Sequence, residues 1–226
     1  LTSTTSGRLS SSGKLNMQQL PRDNSAVKGC IKANPGYKIL QQDLATAEVY
    51  VASVLSNDKA LQNVFKSGGD LHSTVAKMVF QLPHEVADIK TYAAKERQAA
   101  KAVTFGIMYG SGPAKVSETV TKDSGEFFSI EQAKETISNY FLTFRKLKTW
   151  LSKSKEQIES DGFIYSILGR KRRLANVFSN DKGIASHEVR SGINFLIQSV
   201  ASDINLLAGI ELSKWLKDNK KDAKII

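Results

Sequence analysis

Glu96-Arg97-Gln98-Ala99-Ala100-Lys101-Ala102-Val103-Thr104-Phe105-Gly106-Ile107-Met108-Tyr109-Gly110 is the stretch on which the rest of the chain turns. Arg97, Lys101, Phe105 and Tyr109 recur every fourth residue, so on a helix they form one slowly drifting stripe. The stripe begins with two cations and finishes with two aromatic rings, an order that suits a ligand with an anionic tail and a flat head, as in a nucleoside triphosphate. Arg and Lys hold phosphate oxygens, and aromatic rings border a sugar and a base. Gly106 lowers helix stability relative to Ala, which points to something approaching the backbone closely there. An ordinary amphipathic helix with snorkelling cations accounts for the same spacing, and only the remainder of the chain separates the two.

The chain has 226 residues, room for one large or two small domains. It carries 32 Lys plus Arg against 22 Asp plus Glu, a net charge of +10. That excess favours a polyanionic partner, nucleic acid ahead of an anionic membrane. Arg145, Lys146, Lys148, Lys153 and Lys155 form one basic run, and Gly169-Arg170-Lys171-Arg172-Arg173 a compact knot; each reads as solvated surface or as phosphate contacts. Cys30 is the single cysteine, which leaves no internal disulfide and fits a reducing compartment. No apolar run approaches the ~18 residues of a membrane span, and no charged-then-apolar leader opens the chain. The start, Leu1 to Arg8 without Met, and the close on Ala223-Lys224-Ile225-Ile226, which reads as a strand just beginning, make a fragment of a longer protein the expectation.

Residues 1–26 read as an extended polar segment. Strands are expected over Val27 to Lys32 and Tyr37 to Asp43 around the turn Asn34-Pro35-Gly36. Helices are expected over Ala45 to Leu55, Lys59 to Lys66, Leu71 to Gln81, a stretch within Glu85 to Tyr109, and Pro113 to Lys122. Ser129 ahead of Gln132 reads as the start of one long helix reaching about Ser160. A hairpin over Phe163 to Leu168 and Arg172 to Val177 and a long helix over Gly183 to Trp215 complete the pattern. Strands, then helices, then a hairpin and a helix indicate an α+β domain with an inserted helical subdomain.

Four segments then converge. Arg97-x3-Lys101-x3-Phe105-Gly106-x2-Tyr109-Gly110, Asp43-Leu44-Ala45-Thr46-Ala47-Glu48, Thr5-Ser6-Gly7-Arg8-Leu9-Ser10-Ser11 continuing to Asn16-Met17-Gln18-Gln19-Leu20-Pro21, and Gly169-Arg170 onward to Arg190-x3-Asn194-x3-Gln198 stand in this sequence. They resemble, in order and spacing, the fingers helix, first palm motif, template-side region and late palm helix of the family A DNA polymerases, the group containing bacterial DNA polymerase I. The wording around Asp43 to Tyr50 looks closer to phage replicative enzymes. The resemblance implies palm over 1–56, helical fingers over 57–145 and palm again over 146–226.

By that resemblance Asp43, with the Leu44 carbonyl, is a metal ligand; two Mg²⁺ ions serve phosphoryl transfer, and an Asp ending a strand can project into a cleft. Arg97 and Lys101 bind the outgoing phosphates, with Lys101 a proton donor to pyrophosphate, and His72 touches the same triphosphate. Phe105 lies against the deoxyribose, Tyr109 in the templating stack, and Glu48 packs under the sugar to exclude a 2′-hydroxyl, although a first-turn Glu is also explained by the helix dipole. Arg190, Asn194 and Gln198 repeat every fourth residue along an otherwise apolar helix. Buried polar groups need partners, so the row points to a ligand, and the minor groove with its common acceptors fits. The family implies that Arg8 and Gln198 act near the primer end and Asn16 and Gln18 on the template side.

Three departures stand out. The family's His-Asp pair, the second metal carboxylate, has no counterpart in the sequence, and Asp203 and Asp222 do not match it; Tyr50 stands where the pattern has Arg; and one extra residue lies between Arg8 and Asn16. The expected activity is addition of deoxynucleotides to a primer 3′ end on a DNA template, with primer–template DNA and dNTPs as partners, a monomer inside the cell, in the cytoplasm, and no membrane; the fragment alone is expected to be inactive. A single-subunit RNA polymerase and a non-catalytic nucleic-acid-binding module are the alternatives.

Overall fold

The computed structural model describes residues 2–11, 25–44, 46–68, 70–108 and 110–225. These fall into two units, one made of Leu1–Ala47 with Ser202–Ile226 and the other of Glu48–Ala201.

In the first unit, Thr2–Ser3 (β1) pairs antiparallel with Leu9–Ser10 (β2). The turn between them is closed by Gly7 N–H donating to the Thr4 carbonyl at 2.9 Å, with Gly7 at φ +82°. Within the segment 1–26, expected to be extended, residues 2–10 form a small hairpin, whose polar strands lack the alternating apolar pattern by which strands are read, and residues 12–24 lie outside the described residues. Ser25–Gly29 (α1) is a short helix where the first strand was expected, and residues 37–44 form no strand at all. The turn between them is present: Tyr37 N–H donates to the Asn34 carbonyl at 2.9 Å, with Gly36 at φ +83°. A strand needs a neighbour for its backbone groups, and among the described residues none pairs with 37–44. Ile39 and Leu44 are exposed and Leu40 is 90% exposed, so no burial compensates. Asp43 therefore lies on irregular backbone, not at a strand end. Within this unit the Tyr37 hydroxyl donates to Asp222 at 2.7 Å, 185 residues away in sequence. Of the strand expected to begin over 223–226, the described residues 223–225 form none.

Helices fill most of the second unit, and local signals set most of their ends. Ala47–Leu55 (α2) follows Thr46 at φ +51°. Lys59–Lys66 (α3) and Leu71–Phe80 (α4) start at Asp58 and Asp70, whose carboxylates accept from Leu61 N–H and Ser73 N–H, both at 3.1 Å. Ile89–Tyr92 (α5) and Ala94–Met108 (α6) are separated at Ala93, which is buried with Ile89. Pro113–Ser124 (α7) has Pro in its first turn and stops at Gly125, φ +74°. Ile130–Thr143 (α8) starts with a full capping box between Ser129 and Gln132.

The single helix expected from 130 to 160 is broken at Phe144, and Arg145–Asp161 (α9) starts afresh. Phe144 is fully buried, 4.8 Å ring to ring from Tyr140, at φ −112° and ψ 65°. The new helix start is capped from afar, because Leu147 N–H donates to Asp58 Oδ2 at 3.1 Å. One carboxylate thus caps two helices.

Phe163–Tyr165 (β3) pairs antiparallel with Lys171–Arg173 (β4), Ile164 opposite Arg172; Ala175–Phe178 is a 3₁₀ turn rather than more strand. Lys182–Asp218 (α10) begins in the second unit and ends in the first.

The core joins α4, α6, α7 and α8 through Val75, Val103, Val120 and Tyr140, with a second cluster of Ile158, Ile164, Leu174 and Phe195. Gly192 lets α10 approach that cluster: a Cβ there would stand 2.6 Å from Leu174 Cδ1. One 18-residue window of α10 has a mean hydropathy of 1.3, long and apolar enough to cross a membrane by length and composition. That corrects the reading of no such run. Burial of Val189, Phe195, Leu196, Ile197 and Val200 gives the upstream half of the helix a core role. Mostly helical, with two-stranded antiparallel sheets, the fold is α+β.

Candidate functional site

Three members of the expected stripe, Arg97, Lys101 and Phe105, lie on α6. Ala99, Ala100, Val103 and Thr104 are buried on one side of the helix, while Arg97, Lys101 and Phe105 are half-buried. The start of α4 lies alongside. The His72 ring is 5.5 Å from that of Phe105, and Arg97 Nε donates to Asp70 Oδ2 at 2.8 Å. Burial pulls the His72 imidazole below its ordinary pKa; Asp70 opposes this, and the charges of Arg97 and Lys101 reinforce it. Its Nδ1 is buried without a partner among the described residues. Lys101 Nζ and the two terminal nitrogens of Arg97 likewise have none. Two cations, an imidazole and a phenyl ring therefore share one face, with donors in excess of acceptors. Such a face takes an anion attached to something planar. Tyr109 lies outside the described residues.

The close approach expected at Gly106 is present: Ser111 Cβ and Val116 Cγ2, just before and within the start of α7, each lie 3.3 Å from where its Cβ would be. Beside it, Lys101, Phe105, Lys115 and Thr119 border a cavity of about 220 Å³ between α6 and α7.

Glu48 stands half-buried in the first turn of α2. Asp43 and Leu44 are exposed and belong to the first unit, whereas the stripe belongs to the second. A carboxylate and a backbone carbonyl are hard oxygen donors of the kind Mg²⁺ takes. Among the described residues no three His, Cys, Asp or Glu side chains gather closely enough to hold a metal. The donor type fits the ion.

On α10, Arg190, Asn194 and Gln198 fall on one face and are half-buried. Arg190 Nη1 donates to Ser186 Oγ at 2.7 Å. Asn194 Oδ1 is buried with no partner, and the Gln198 amide has none among the described residues. The hydrogen-bonding capacity of this row is thus largely unused. Gly110, at φ +67°, sits against the same row, since any Cβ on it would overlap Arg190 Cγ and Cδ.

The basic knot is partly tied up, with Lys171 Nζ 3.9 Å from the Phe163 ring centre and Arg172 Nη2 donating to Ser191 Oγ at 2.6 Å. Arg145, Lys146, Lys148, Lys153 and Lys155 are exposed on α9. Arg8 is exposed in the first unit, and Asn16 and Gln18 lie outside the described residues. Sequence reasoning passed over Asp70 and Ser73. The helix-start signature Asp70-Leu71-His72-Ser73 was visible, but pairing with Arg97 needs the fold.

Over 225 residues the chain is 51% identical to the DNA polymerase of Escherichia phage T5, covering 92% of this chain and 26% of that protein. Thermostable DNA polymerase I of Thermus aquaticus is 29% identical over 220 residues, 96% of this chain and 25% of the relative. The chain thus spans about a quarter of the length of these relatives. A solved structure, the POL domain of Pol1 from M. smegmatis in complex with DNA primer-template and dNTP, superposes with a TM-score of 0.80 at 27% identity, over 96% of this chain and 37% of that one. The DNA polymerase family A model matches residues 1–226 in full, and the chain belongs to DNA polymerase family A.

Proposed function

We propose that this chain supplies the nucleotide-binding face and part of the primer–template surface of a DNA-directed DNA polymerase, which adds deoxynucleotides to a primer 3′ end. The observation carrying this is the α6 face, where Arg97, Lys101 and Phe105 meet His72 with donors unoccupied. Arg97 and Lys101 hold the triphosphate and stabilise charge as pyrophosphate leaves, with Lys101 the proton donor. Phe105 borders the deoxyribose, Tyr109 the templating position, and Glu48 excludes a 2′-hydroxyl. Asp43 and the Leu44 carbonyl would hold Mg²⁺. When bound, two such ions activate the attacking oxygen and neutralise phosphate charge.

In this reading Arg190, Asn194 and Gln198 use their free groups on minor-groove acceptors common to all base pairs. Arg8, Asn16 and Gln18 assist them. Palm then comprises 1–56 and 146–226, with fingers over 57–145. The protein works as a monomer in the cytoplasm, in a phage-type setting that the likeness to the phage T5 enzyme supports, with α10 packed in protein and not in a membrane.

The test is primer extension by the full-length protein with dNTPs and with rNTPs. Lys101→Ala should cut dNTP incorporation by about 100-fold while primer–template affinity holds. Preference for rNTPs would make the protein an RNA polymerase, and DNA binding without incorporation a binding module. The 226 residues alone, with Asp43 the one matched carboxylate, should extend no primer.

A further inference from the structure

Arg97 leaves the first turn of α6 with five N–H donors arranged as a fork. The side of that fork is already held. Nε donates to Asp70 Oδ2 at 2.8 Å and lies 3.2 Å from Ser73 Oγ. Ser73 Oγ donates to the same Oδ2 at 2.6 Å, and Ser73 N–H does so at 3.1 Å. Burial works against charge on Asp70, but the hydrogen bonds from Arg97 and Ser73 and the guanidinium charge outweigh it, so the carboxyl stays ionised far below the usual carboxylate range. The terminal nitrogens of Arg97 have no partner among the described residues. The Arg97 side chain is 22% exposed and that of Asp70 43%. The pair is therefore reachable from solvent but not a loose surface contact, which would hold little.

We propose that Asp70, braced by Ser73, is a positioning residue that grips Arg97 by Nε and presents both terminal nitrogens as a two-point clamp for the phosphates of the incoming nucleotide. Side-on attachment makes this possible. A carboxylate engaging the fork end-on would occupy the two nitrogens that a phosphate needs, whereas one engaging Nε restricts rotation of the guanidinium and leaves them open. Fixing the group in advance removes an ordering cost from nucleotide binding. The inference rests on the nucleotide reading of Arg97.

Asp70 also caps α4, so the informative variant is Asp70→Asn. Asn caps a helix about as well as Asp but offers Arg97 no charge. In the full-length polymerase, Asp70→Asn should raise the dNTP KM about tenfold, with kcat changed less than about twofold and primer–template affinity unchanged. In an Arg97→Ala background it should add nothing further. An unchanged KM, or effects that multiply in the double variant, would overturn the proposal. Arg97→Ala leaving the dNTP KM unchanged would instead sink the nucleotide reading itself.

Discussion

Residues 31–44 and the helical unit from Glu48 to Ala201 treat their large apolar side chains in opposite ways. Leu61, Ile89, Tyr140, Phe144 and Leu147 are all fully buried in the second, whereas Ile31, Tyr37, Ile39, Leu40 and Leu44 in the first are all exposed. The two regions differ in where their backbone hydrogen bonds come from. A helix closes its own bonds within the segment, so Lys59–Lys66 and Leu71–Phe80 needed only a cap and an apolar face to form. A strand borrows its bonds from a neighbour, and residues 37–44 have none among the described residues. Apolar alternation without a partner leaves irregular chain, however strand-like it reads.

This contrast is open to attack by substitution, with urea unfolding of the chain as the measurement. Leu147→Ala, in the packed region, should lower unfolding free energy by about 2–5 kcal/mol; a loss below about 1 kcal/mol would break the contrast. Asp58→Ala removes the acceptor for Leu61 N–H and Leu147 N–H together, and should cost about 1–3 kcal/mol. Asp58→Asn, with one acceptor oxygen left, should recover part of that, and no recovery would mean the charge, not the cap, matters. Leu40→Ser, at a side chain 90% exposed, should fall within about 0.5 kcal/mol of zero. A larger loss would mean that residues 37–44 are packed in solution after all.

What was legible in the sequence follows the same division. Asp58, Asp70, Ser129 with Gln132 and Pro113 act on atoms within a turn of themselves, so each helix start could be read locally. The α6 stripe was legible because helical spacing alone puts Arg97, Lys101 and Phe105 on one face. The break at Phe144 was not, since it depends on burial against Tyr140 and on a carboxylate 89 residues earlier. Nor was the grip of Asp70 on Arg97, which joins two helices. Gly106 was legible only in part: the sequence pointed to a close approach, and the fold names Ser111 and Val116 as the neighbours.

Gly110 carries one more consequence. With the Arg190 stem filling the space beside it, the turn after α6 and the first part of α10 fit together like adjacent cogs. A side chain at 110 would evict that stem, so the bare backbone is what lets Arg190 take its place at the head of the polar ladder with Asn194 and Gln198.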